Sequence, residues 1–230
     1  SKDAKTVQKS QALVDLLTPV SKAFITDKGF EGCVNAQQIF GGHGYIKEHG
    51  VEQMVRDSRI SMLYEGANGV ISLDLLARKV VSNGGALVRV FCEDIDECLT
   101  DLKETQGNPW LSQAYTSLTE AKDVLLDVTQ WCVKQPNLAF NDADEIAAAS
   151  VEYMHLFGHV AFGFMWAKML LSLESSPLYS NEAKSNQGFV TRKQQAGRFY
   201  FKRLLPNIHS LADAIKVGSN SVMELPPELF

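Results

Sequence analysis

Only four cysteines stand in 230 residues (Cys33, Cys92, Cys98, Cys132), and no two form a C-x-x-C pair. That argues against a disulfide framework or a zinc site and for reduced thiols in a cytoplasm. Positive charge is also scarce: 22 Lys and Arg face 27 Asp and Glu, a net charge of -5, with a pI near 5.6. An acidic surface attracts neither nucleic acid nor an anionic membrane at neutral pH, so neither is expected as a partner. The alternation of apolar and polar residues that marks a half-buried strand is missing throughout, as are low-complexity tracts and short-period repeats. No basic region followed by an apolar run opens the chain, so no signal peptide is read. The chain starts at Ser1 rather than Met, inside helix-like sequence, and truncation is the expectation.

What is present is one helix pattern after another. A hydrophobic fraction of 45% with 21% charged residues is ordinary for a globular chain. Residues 4 to 17 carry a weak amphipathic signal, and Thr18-Pro19 reads as a cap and first-turn proline that start a new helix running to Phe40. The stretch Gly41 to Gly50 is too glycine-rich for helix. Residues 51 to 63 form a short helix, and Asn68 is placed to cap the next, in which Val70, Leu73, Leu76, Ala77 and Val80 recur at helical spacing. Ser82-Asn83-Gly84-Gly85 stops that helix and marks a domain boundary, dividing the chain into 1–83 and 84–230. Beyond it, Val88 to Leu99 forms one helix and Asn108-Pro109 opens another that Pro136 ends. Asn141 or Asp142 with Glu145 opens a third, Gln187 to Leu205 makes a fourth, and Pro206 starts a fifth closed by Gly218. The fold class is all-α, a helical domain followed by a second helical bundle. Val151 to Leu173 is apolar enough to cross a bilayer, but spanning would bury Glu152, His155, His159 and Lys168, so a central helix of a bundle is expected.

Several constellations bear on chemistry. Glu65 stands between Tyr64 and Gly66 at the junction of two helices, where Leu63 and Tyr64 would desolvate it toward the range of a general base. Alone, it also reads as an ordinary first-turn acid. Gln38 with Gly41-Gly42 is a glycine-capped helix end or a close approach for a flat or phosphorylated ligand; it is no G-x-G-x-x-G fingerprint, and no strand precedes it. Arg56-Asp57-Ser58-Arg59 reads as an ion-pair network fixing a helix to its loop. Glu152 and His155 form a single E-x-x-H, half of what a di-iron bundle requires, so no metal is expected. The aromatic and basic residues between Phe189 and Arg203 separate onto different helix faces, as core and solvated rim.

Taken together, QIFGGHGY (Gln38 to Tyr45), VEQMVRDSRI (Val51 to Ile60), LYEG (Leu63 to Gly66) and the following LDLLARK resemble, in order and spacing, the C-terminal helical domain of acyl-CoA dehydrogenases. LFGHVAFGFMWAKM and RFYFKRLLP resemble the additional helical domain of a bacterial subgroup, the 3-methylmercaptopropionyl-CoA dehydrogenase-like enzymes. The resemblance implies α,β-oxidation of an acyl-CoA thioester with FAD, Glu65 removing the α-proton and the Gly66 backbone contacting the thioester oxygen. It implies cofactor contacts from Gln38, Ile39, Phe40, Gly41 and Gly42 across a homodimer, and from Ala67, Asn68 and Gly69. The family's frequent Thr-x-Gln after the glutamate is here Ala67-Asn68-Gly69, so two side-chain bonds to FAD are missing. An electron-transfer acceptor protein is an implied partner and the cytoplasm the implied location. Because the N-terminal helical and β-domains are absent, the chain alone is expected to fold, to retain no FAD and to be inactive. The alternative is a non-catalytic helical oligomerisation module.

Overall fold

The computed structural model of the chain describes residues 3–105, 108–134, 143–175 and 187–229; the helix end expected at Pro136 and the cap expected at Asn141 or Asp142 lie outside them. Helix α1 (Ala4–Ile39) runs unbroken through Pro19, where the sequence predicts a new helix. Leu16, Pro19, Val20, Ala23 and Phe24 are all buried, and their spacing of three and four residues makes one apolar stripe across the proline. A proline inside a helix costs about 3 kcal/mol. Burying a Leu, Val or Phe side chain contributes about 1.5–3 kcal/mol each, so keeping the stripe whole wins. Thr18 then serves no cap; its Oγ1 donates back to Val14 O at 2.6 Å.

After α1, the glycine-rich stretch contains one helical turn, α2 (Gly42–Tyr45), and a 3-10 turn, Lys47–His49, with Ile46 extended between them. Next come α3 (Val51–Arg59), a 3-10 turn (Ile60–Met62) and α4 (Asn68–Leu73). α4 widens into a π-helical segment, Asp74–Val80, which buries Leu75, Leu76 and Val80 together. A 3-10 turn, Val81–Asn83, and the positive-φ pair Gly84 and Gly85 lead into α5 (Ala86–Glu104). Its buried residues recur at the three- and four-residue intervals of a core-facing helix. Asn108 Oδ1 accepts from Trp110 N at 2.9 Å and caps α6 (Pro109–Lys134).

Helix α7 (Ala143–Ser175) lies at the centre, packed against α1, α4, α5 and α6 and against the later helices. It is long and apolar enough to cross a membrane by length and composition, and half of that apolar window is buried inside the fold. Tyr153, Met154, Leu156, Phe157 and Val160 are fully buried. α8 (Gln187–Phe199) ends in a π-helical segment, Tyr200–Leu204, closed by Leu205 N to Tyr200 O at 2.9 Å. The widening falls just before Pro206, whose ring would clash with a carbonyl in an α-helical continuation. α9 (Asn207–Lys216) and α10 (Asn220–Met223) follow. No strand occurs among the described residues. The turn at Ser82–Gly85 separates two segments whose buried side chains form one continuous cluster, from Leu16 on α1 to Ile215 on α9.

Among the contacts that join the two segments, that of Phe24 with Gly158 is the closest fitted. A Cβ on Gly158 of α7 would stand 2.2 Å from Cγ of Phe24 on α1, so the bare backbone at that point lets the aromatic ring lie flush against α7. Phe24 is in turn edge-on to His155, His159 and Phe162.

Candidate functional site

The backbone around Glu65 is held from outside. Leu63 N and Tyr64 N bond to Ile60 O at 3.0 and 3.1 Å, and the next backbone bonds are those of Val70 N and Ile71 N to Ala67 O. Glu65 and Gly66 make no backbone–backbone bond between them. Glu65 takes φ 54°, the one positive φ among described non-glycine residues, and Gly66 takes φ 93°. The left-handed region costs an L-residue about 1–2 kcal/mol. Glu65 is exposed, and its carboxylate has no hydrogen bond or ion pair among the described residues. Leu63 and Tyr64 are themselves 49% and 54% exposed, so within this chain neither buries the acid as the sequence leads one to expect.

What holds the turn is a polar network anchored on α1. Lys22 Nζ donates to Gly66 O and to Asn68 Oδ1, both at 2.6 Å. The Asn68 amide nitrogen donates to Ala23 O (3.1 Å), Thr26 Oγ1 (3.0 Å) and Asp27 Oδ1 (2.6 Å). Asn68 is therefore no cap: Ala67 occupies that position, without a side-chain bond, and the Asn68 amide is committed to α1. Asp27 Oδ2 meets Nε2 of His155 on α7 at 3.1 Å. Burial pushes the Asp27 carboxyl up, yet the hydrogen bonds from His155 and Asn68 outweigh it and hold the group below the usual carboxylate range. Sequence reasoning missed Lys22 and Asp27. Their signal is faint: polar residues at 22, 26 and 27 beside the stripe at 23 and 24, at spacings that put them on one helix side.

The second predicted cluster sits at the other end of α1. Gln38, Ile39, Phe40, Gly41 and Gly42 are all exposed, Ile39 at 84%. Nothing lies within 4 Å of a Cβ built on Gly41 or Gly42, so backbone there is open to a ligand; Gly69 is equally open. Lys22 and Gln38 are 16 residues apart on one helix, roughly 24 Å at 1.5 Å per residue. The chain thus presents the glutamate turn and the glycine turn as two separate surfaces.

Two family models cover nearly the whole chain. Residues 3–81 match one described as "Acyl-CoA dehydrogenase, C-terminal domain", and residues 87–226 match one described as "Acetyl-CoA dehydrogenase C-terminal like". The chain belongs to the acyl-CoA dehydrogenase family. It is 31% identical over 79% of its length to a 3-methylmercaptopropionyl-CoA dehydrogenase of Ruegeria pomeroyi, of which it covers 30%. It is 23% identical to a broad-specificity linear acyl-CoA dehydrogenase of Mycobacterium tuberculosis over 94% of its length (35% of the relative). Against a butyryl-CoA dehydrogenase of Syntrophomonas wolfei it is 22% identical over 92% (34% of the relative). The chain spans about a third of the length of these curated relatives.

In this acyl-CoA dehydrogenase chain, four cavities among the described residues are lined by none of residues 38–42 or 65–69. One, of about 590 Å³, lies between α1, α7 and α8 and is walled by Phe24, Phe162, Trp166, Phe199 and Tyr200. His159 lines it, 4% exposed, and burial, with the nearby charge of Lys28, pushes its imidazole down to about 4. Tyr200 Oη donates to His159 O at 2.8 Å. His155, the second half of the E-x-x-H, is engaged with Asp27, and no cluster suited to a metal ion occurs among the described residues. Arg56 pairs with Glu52 inside α3 at 2.7 Å rather than with a loop, and Arg59 lies over the Phe30 ring. Among the later basic residues, Arg198 covers Trp110 and Lys193 covers Trp166.

Proposed function

We propose that this chain carries the base of an FAD-dependent acyl-CoA dehydrogenase, in which Glu65 removes the α-proton of an acyl-CoA thioester to give a 2,3-enoyl-CoA. The observation that supports this most is the left-handed, exposed and unpaired Glu65. A side chain that any glycine would replace at lower conformational cost is kept there, and backbone strain of this kind concentrates at reacting sites. The Gly66 carbonyl is fastened by Lys22, while its N–H has no partner among the described residues and is free to donate to the thioester oxygen, acidifying the α-carbon. Bound FAD supplies the acceptor for the hydride that leaves the β-carbon. Gln38, Ile39, Phe40, Gly41 and Gly42 form one cofactor-facing surface, reached across a homodimer, and Ala67, Asn68 and Gly69 a second; with the Asn68 amide committed to α1, its contact goes through the backbone.

Exposed Ile39, Phe40, Tyr45, Ile46, Met54 and Ile60 are covered in the assembled enzyme by the rest of the protein or by the second copy. Those same parts exclude water from Glu65. The electrons pass on to an acceptor protein, and the enzyme works in the cytoplasm. In the full-length protein, Glu65→Gln abolishes acyl-CoA-dependent flavin bleaching and leaves FAD bound; substantial surviving bleaching would move the base elsewhere.

A further inference from the structure

We propose that His155, on α7, is a positioning residue for the glutamate turn, acting through Asp27 and Asn68 so that the segment matching the second family model braces the base carried by the first. The proposal rests on the reading of Glu65 as the base. Four successive contacts connect the two: His155 Nε2 to Asp27 Oδ2 at 3.1 Å, Asp27 Oδ1 to the Asn68 amide at 2.6 Å, Asn68 Oδ1 to Lys22 Nζ at 2.6 Å, and Lys22 Nζ to Gly66 O at 2.6 Å. Each oxygen of Asp27 serves one neighbour, so losing His155 frees the carboxylate to rotate away from Asn68. The imidazole is itself fixed by its edge-on contact with Phe24, ring centroids 5.6 Å apart, and by its place on α7, which packs against α1, α4, α5 and α6.

The turn needs such a brace because its own backbone supplies none. Between Tyr64 and Ala67 no main-chain bond closes the loop, and φ 54° at Glu65 is a conformation that relaxes unless its surroundings impose it. A general base has to sit within a fraction of an ångström of its productive place, and that precision comes from groups behind the reacting residue. Lys22 and Asn68 grip the turn directly. His155 reaches it only through them, which makes α7 the outermost support.

The test uses the full-length enzyme with His155→Phe, which keeps a ring against Phe24 but loses the donor, and His155→Gln, whose amide restores one. In His155→Phe, kcat for straight-chain acyl-CoA thioesters of several lengths falls roughly tenfold with KM within about twofold, since misplacement by about 1 Å costs up to a hundredfold. Amide exchange at Val70 and Ile71, whose N–H groups bond to Ala67 O at the end of the turn, speeds up while exchange in α6 and α9 is unchanged, and His155→Gln recovers most of both. Equal losses in the two variants, or exchange that accelerates throughout the molecule, would show His155 to be a packing residue and overturn the proposal. The exchange measurement does not depend on catalysis, so the two readings fail differently. An active Glu65→Gln removes the base, whereas an inactive Glu65→Gln beside an unperturbed His155→Phe removes the brace alone.

Discussion

Glu65 stands at φ 54° with Gly66 at 93°, and the two residues respond to substitution in opposite directions. Glycine at 65 relieves the left-handed strain of about 1–2 kcal/mol but loosens the unfolded chain by about 0.5–1 kcal/mol. Glu65→Gly is therefore expected to unfold at the same denaturant concentration as the parent or slightly higher, although the acid is gone. Alanine at 66 is expected to cost more than about 1 kcal/mol by the same assay, because it must adopt the strained φ and its Cβ would meet Ile71 Cδ1 at 3.0 Å. His159 governs the pH response. Its folded value of about 4 lies below the ordinary 6.5, so between those limits the unfolded chain binds the extra proton and the folded chain does not. Stability is unaffected above about pH 6.5 and falls by roughly 3 kcal/mol as the pH drops to 4. Asp27, held below its usual range, adds a further loss at still lower pH as it protonates. Urea denaturation at pH 7, 5.5 and 4 reads the decline, and His159→Phe is expected to flatten it over the upper part of that window.

At the scale of helices, the crossing of α1 and α7 depends on Gly158. An added methyl would fall 2.2–2.6 Å from three carbons of the Phe24 ring, and a buried ring cannot move aside as a flexible chain end does. Gly158→Ala is expected to destabilise by about 1–3 kcal/mol, and Gly158→Ala with Phe24→Leu to recover part of that, as a double-mutant cycle checks. The all-α class, most helix ends and the turns at Gly41, Ser82 and Gly218 were legible because periodicity, glycine and proline are local signals. Pro19 misled because the apolar stripe from Leu16 to Phe24 overrides a local breaker, a balance visible only once the partners of that stripe are known. Asn68 misled for a related reason. A residue ahead of a helix reads as a cap, whereas its amide is drawn to α1 by Lys22 and Asp27, more than forty positions earlier in the chain. The motif residues were readable in order; the exposure of Glu65 was not, since Leu63 and Tyr64 beside it face outward.

For the molecule as a whole, a single apolar cluster running from Leu16 to Ile215 implies one cooperative transition rather than separate ones for 1–83 and 84–230. Calorimetry of the chain is expected to give a calorimetric enthalpy equal to the van't Hoff value. Two resolved peaks would mean that the halves melt independently. With both candidate cofactor surfaces open to solvent, the purified chain is expected to be colourless, without absorbance at the flavin bands. The shared interior also limits how such sequences can recombine. Exchanging everything after Gly84 between distant members of the family brings a new α7 against an old α1, so a bulkier residue opposite Phe24, or a missing imidazole opposite Asp27, would be inherited along with the new half. Viable hybrids should therefore join either close kin or parents already matched at residues 24, 27, 155 and 158, and lineages that carry both segments should exchange them as one unit.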